Sequence, residues 1–167
     1  FRPNLTPREI FKYGSFGGTY FRPIFSSVTG KSYKDVHKKY PSSWFKDIPE
    51  DHLTRDWDDY DSSINRFGVK VGQTLREWED QGWISEYHPY GWIQWYSEFY
   101  LGKRGPDDER QIKRWLSTGS PNGRFARRLV NMKKRKQTTW NDYSVSPKIH
   151  QTLQHWAYTP TEHDFNS

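Results

Sequence analysis

The chain has 167 residues, a formal net charge of +6 and an apolar fraction of only 32%, against 18% aromatic residues that include nine Trp. It holds no cysteine, which excludes disulfides, thiolate metal sites and cysteine nucleophiles. No run of about 18 apolar residues occurs, so neither a spanning helix nor a membrane partner is expected, and no secretory leader pattern opens the chain, which points to an intracellular protein, nuclear or cytoplasmic.

A length of this order suits one core, and the expectation is a single domain over residues 1–167 with a polar, frayed tail from about Thr159. With so little Leu and Val, large rings must supply the buried surface, about 150–250 Å² each. Their indole N–H and phenol O–H groups then need acceptors inside the protein.

Thr6-Pro-Arg-Glu9 reads as a helix start: Thr6 as N-cap, Pro7 at the first helical position and Glu9 closing a capping box, with Gly14 as the stop. Ser15 to Ile24 contains Gly17 and Gly18 and reads as a tight turn leading into an extended piece, with Pro23 barring a helix. Tyr33, Val36 and Tyr40 suggest one short helix near 32–40. Asp51 to Asn65 carries five Asp and one Arg up to Asp61. Its spacing misses a calcium loop, because Tyr60 takes a ligand position and Asp61 the place of the glycine, so a solvated acidic loop is expected.

Thr74 and Glu77 form a second capping box, with Gly82 as the stop. The densest apolar stretch follows, Gly91-Trp-Ile-Gln-Trp-Tyr-Ser-Glu-Phe-Tyr-Leu-Gly102, a helix with Trp92, Tyr96 and Phe99 on one stripe and Gln94 and Glu98 on a polar face. Asp107, Asp108 and Glu109 start the next helix, where the macrodipole favours carboxylates. Arg124 to about Lys134 is amphipathic, with Phe125, Leu129 and Met132 inward, and Lys133 to Lys136 continues the charge. Ser146-Pro147 starts the last expected helix, whose core face is Ile149, Leu153 and Trp156. The fold class is mostly α: five or six short helices, long irregular connections and an aromatic-rich core.

The blocks Gly91 to Arg104, Asp107 to Trp115, Gly123-Arg-Phe125, Gly17 to Ile24 and Ser146 to Trp156 resemble an uncharacterised family of small Trp-rich proteins of fungi and plants. Together they cover most of the chain. The resemblance implies one intact domain and carries no reaction or ligand. Members of that family carry Cys near the positions of Ser97 and Gly105, where this chain has none.

Three function classes are open. From Lys103 to Lys136 there are twelve Lys/Arg against three Asp/Glu, and Arg124, Arg127, Arg128, Asn131 and Lys134 share one helix face, the pattern that contacts to DNA or RNA phosphates need. This nucleic-acid-binding reading leads. The alternative is a small enzyme or small-molecule binder with an aromatic-walled pocket. Tyr20, Arg22, Trp92 and Trp95 would meet an anionic small molecule, and Glu98, Asp107, Asp108, Glu109 and one of His150 and His155 are its candidate acid/base groups. The third is a protein-interaction module using the acidic loop. No cofactor or metal is expected, since the six His form no HxxxH pair, and His150 and His155 fall on different faces of one helix.

Overall fold

The computed structural model describes all of residues 1–167. The chain is helical, with seven α-helices, six short 3-10 turns and only a two-stranded sheet. Helix α1 spans Pro7–Tyr13 and α2 spans Leu75–Asp80. Both begin with the capping boxes read from the sequence, Thr6 with Glu9 and Thr74 with Glu77. The central α3 covers Trp92–Tyr100, α4 Asp108–Thr118, α5 Arg124–Arg135 and α6 Pro147–Gln154.

Three local expectations are corrected. The short helix near 32–40 is instead a strand followed by a 3-10 turn: β1 (Ile24–Phe25) pairs antiparallel with β2 (Ser32–Tyr33), and the turn is Val36–Lys39. Asp35, at φ +57°, separates strand from turn, so the stretch between Gly30 and Pro41 has no room for α-helical turns. The tail is not frayed. Helix α7 (Glu162–Asn166) is closed by a capping box between Thr161 and Asp164, and Asp164 also accepts from the Tyr158 hydroxyl at 2.6 Å. The face of α3 bearing Gln94 is not solvated: Gln94 is buried and its Oε1 accepts from the Tyr90 N–H at 2.8 Å.

The acidic loop folds as a series of 3-10 turns. Asp56 and Asp61 accept from the backbone N–H groups of Trp57 and Ser63, so these carboxylates cap their own turns and do not converge on an ion. Asn65, fully inside, accepts from the Gly17 N–H and donates to the Tyr60 hydroxyl and the Val69 carbonyl. Gly17 is required by this packing, because a Cβ there would run into the Tyr60 ring.

The main core is an aromatic cluster around α3, in which Trp92 and Tyr96 stack at 5.1 Å. Most of its polar ring atoms find carbonyl or carboxylate acceptors. Trp92 donates to the Gln111 carbonyl, Trp95 to Asp108, Trp115 to the Trp156 carbonyl, and Tyr96 to the Leu5 carbonyl. A second, smaller cluster of Ala126, Leu129, Val145, Ile149 and Leu153 joins α5 to α6. No helix is long and apolar enough to cross a membrane.

Candidate functional site

A cavity of about 520 Å³ opens where six stretches of the chain meet. The turn after α1 contributes Phe16, Tyr20 and Arg22, and the acidic loop adds Trp57 and Tyr60. Trp78 of α2, the following Trp83 and the start of α3 with Trp92 form a further wall. Arg114 of α4, Arg124 at the start of α5, and His155 and Trp156 after α6 complete it. No Asp or Glu is among the lining residues.

The two half-buried arginines have no carboxylate within ion-pair distance. Arg22 donates only to the Thr19 carbonyl at 3.1 Å and lies 5.5 Å from the centre of the Trp57 ring. Arg114 donates to the Trp83 carbonyl and to Gln111 Oε1 at 2.8 Å, between the rings of Trp83 and Trp156. Burial lowers both guanidinium pKa values, and for Arg114 the neighbouring Arg110 adds to the fall, which brings it down to about 10. Both remain cations at neutral pH.

The candidate ligand residues divide between two places. Tyr20, Arg22 and Trp92 line this cavity; Trp95 lies on a smaller one. The Tyr20 hydroxyl is already engaged, donating to the Tyr90 carbonyl at 2.8 Å and accepting from the Gln94 N–H at 2.9 Å. Burial pushes its pKa far above the ordinary value, so Tyr20 offers a ring face and no free hydroxyl. Arg114, Trp57, Trp83 and Trp156 were not singled out as ligand groups by the sequence. A signal did exist for Arg114, which falls at helical spacing from the inward-facing Gln111 and Thr118 of α4.

The smaller cavity, about 290 Å³, gathers Glu98, Asp107, Asp108 and His88. Each carboxylate there is engaged within the protein. Glu98 accepts from Lys103 at 3.2 Å and from the Tyr40 hydroxyl at 3.3 Å. Asp108 accepts from the Trp95 indole at 2.8 Å and the Gly105 N–H at 2.9 Å. Asp107 accepts from Arg110 at 2.6 Å and from Gln111 at 3.0 Å. Burial works to raise the Asp107 carboxyl, but the bonds and charge of Arg110 outweigh it and hold it below its ordinary value. His88 is pushed down by burial despite Glu98 nearby. Glu109 stands apart, exposed and 3.0 Å from Lys113.

On α5, Arg124, Arg127, Arg128, Asn131 and Lys134 are all exposed, and none of the four cations is ion-paired. The basic run is interrupted at Lys133, which turns inward and donates to the Trp140 carbonyl. A separate trio, Asp35, His37 and Glu50, places its donor atoms within 4.8 Å of one another. These are the residues that could share a metal ion, but His37 Nε2 and Glu50 Oε1 already lie 3.0 Å apart and Lys38 reaches Asp35 at 3.6 Å.

Comparison with protein-family models, with curated proteins and with solved structures finds no match.

Proposed function

We propose that this protein binds a flat, anionic small molecule in the large cavity. The observation that carries the reading is an aromatic-walled cavity lined by three arginines and no carboxylate. Its volume, about 520 Å³, falls within the range of about 300–1,000 Å³ that small-molecule sites occupy. Holding a guanidinium away from water without a carboxylate is unfavourable, and the ring contacts of Arg22 and Arg114 recover only about 0.5–2 kcal/mol each. A ligand carboxylate or phosphate would complete both, while its apolar body meets indole faces. The carboxylates of the smaller cavity are all engaged, so no acid/base role is assigned to them.

Heat stabilisation by matched probes tests the reading: naphthoate and naphthyl phosphate against uncharged naphthol and cationic naphthylmethylamine. The expected result is a melting temperature that rises with concentration for the two anions only. Equal stabilisation by all four, or by none, would sink it.

A second reading, a nucleic-acid-binding surface on α5, is favoured by the exposed, unpaired Arg124, Arg127, Arg128 and Lys134. Its sign is oligonucleotide affinity that falls steeply with added salt and is lost in an Arg124/Arg127/Arg128→Ala triple variant.

A further inference from the structure

We infer that His155 is a specificity-determining residue of the large cavity, fixed by the fold as the neutral tautomer with its proton on Nδ1, so that it presents one uncharged N–H to an acceptor oxygen of the ligand. The inference rests on the reading of the cavity as a ligand site, but the position of the proton follows from the protein alone.

Two donors meet at Nε2. The backbone N–H of Phe16 donates to it at 3.1 Å, and a backbone amide can only donate, so Nε2 must present its lone pair. Gln151 Nε2 lies 3.0 Å from the same atom. The orientation of that amide is set by two unambiguous partners. The Phe67 N–H donates to Gln151 Oε1 at 3.0 Å, and Gln151 Nε2 donates to the Gly14 carbonyl at 3.2 Å. Its NH₂ end therefore faces the imidazole. With Nε2 as the acceptor, the neutral ring carries its hydrogen on Nδ1. The ring plane is fixed by Phe16, stacked on it at 3.8 Å with 14° between the planes.

Nδ1 makes no hydrogen bond within the protein, yet it is not among the sealed, unpaired buried atoms. It belongs to a residue that lines the cavity, and the cavity is where its free N–H can be used. A second proton would have to sit on Nε2, against two donors. The other ionisable groups on the cavity wall are Arg22, Arg114, Arg124, Tyr20 and Tyr60, none of which would stabilise an imidazolium. Burial acts the same way and takes the ring down to about 3.

The chemical consequence is a division of labour. The arginines supply charge to the ligand's anionic group, and His155 supplies a directional neutral donor. The cavity then selects a ligand with a second acceptor, such as the other oxygen of a carboxylate, a phosphate oxygen or a ring carbonyl. A ligand presenting an N–H or ammonium at that place is rejected, because two donors would face each other. Binding also acquires no histidine-type pH dependence over the range where an ordinary imidazole titrates.

Long-range proton–nitrogen correlation spectra of the ligand-free full chain test the proton's position, recorded from about pH 8 to about pH 5. His155→Gln identifies the ring's signals by their loss. The expected pattern is the Nδ1–H tautomer with no titration across that span. An Nε2–H tautomer, or a midpoint near the ordinary 6.5, would overturn the inference. Naphthoate is then added and Nδ1 is followed alongside the melting temperature. A shift of Nδ1 that accompanies heat stabilisation supports the donor role, and stabilisation without a shift overturns it. If naphthoate neither binds nor shifts Nδ1 while the tautomer is as expected, the ligand reading of the cavity fails and the proton assignment stands. His155→Leu adds a functional arm, with an expected loss of about tenfold in naphthoate affinity for one hydrogen bond. His155→Gln, which can accept from Phe16 and still donate, should retain most of it.

Discussion

Helices α3 and α4 line both cavities and furnish them in opposite ways. On one side they present Trp92 and Arg114, on the other Trp95, Glu98, Asp107 and Asp108. The smaller cavity is rich in ionisable groups, and every carboxylate in it already accepts hydrogen bonds from a neighbour, Asp107 from Arg110 and Asp108 from Trp95. The larger has fewer charges, but Arg22 and Arg114 lack a carboxylate and His155 keeps a free Nδ1. Density of candidate residues is therefore a poor guide to a site. What separates the two cavities is whether the polar groups have been satisfied from within.

Acid separates the two regions most strongly. His155, on the large-cavity wall, and His150, on α6 and packed against Phe67 and Tyr143, are both pushed down by burial, to about 3 and about 4. Such a ring takes up its proton more readily in the unfolded chain. Its contribution to stability is complete above about 6.5 and is lost as the pH falls toward the folded value, at about 1.4 kcal/mol per pH unit for each ring. Asp107 acts in the same direction but in a lower window: its lowered pKa stabilises the fold above the ordinary carboxylate value, and that contribution is lost only as the pH falls below it. Urea unfolding should thus weaken first between about pH 6.5 and pH 4 through the histidines, and His150→Phe should flatten that limb while leaving the lower one. An unchanged upper limb in that variant would contradict the assignment.

Asp107→Ala is the next largest effect. It removes the carboxylate partner of Arg110, which keeps only carbonyl acceptors at Gly82 and Trp83, and leaves the fully buried Gln111 amide without its acceptor, at a cost of about 1–3 kcal/mol in urea unfolding. Asp108→Asn keeps one carbonyl oxygen for the Trp95 indole or the Gly105 N–H and should cost about 0.5–1.5 kcal/mol. If neither substitution alters stability, the smaller cavity is not self-satisfied and its carboxylates return as candidates for chemistry.

The features legible in the sequence were those set by residues three or four apart. The boxes at Thr6 and Thr74 belong to this class, as do the cap at Ser146 and the exposed face of α5. The box that orders α7 pairs Thr161 with Asp164 rather than a Glu or Gln, so it lacked the usual signature. Lys133 lies on the same stripe as Ala126 and Leu129, but its charge masked the periodicity, and its inward role depends on the Trp140 carbonyl in the following loop. The buried side of Gln94 was hidden for a related reason, since its acceptor is used by the backbone of Tyr90 one turn earlier. The large cavity joins residues near 16–22 to others near 152–156. No local spacing encodes a meeting of that kind, so individual members such as Tyr20, Arg22, Trp92, Arg124 and His155 could be named, but not their convergence.

The most direct measurement takes Arg22→Met through urea unfolding and naphthoate heat stabilisation side by side. The only acceptor that Arg22 serves, the Thr19 carbonyl, is also held by the residue's own backbone N–H, so the substitution strands no buried polar group. If the arginine is kept for a ligand, stability should stay within about 0.5 kcal/mol of the parent or rise, while stabilisation by naphthoate disappears. A loss of about 2 kcal/mol or more, with naphthoate still stabilising the variant as it does the parent, would mean that Arg22 serves the fold and that the cavity was not built around an anion.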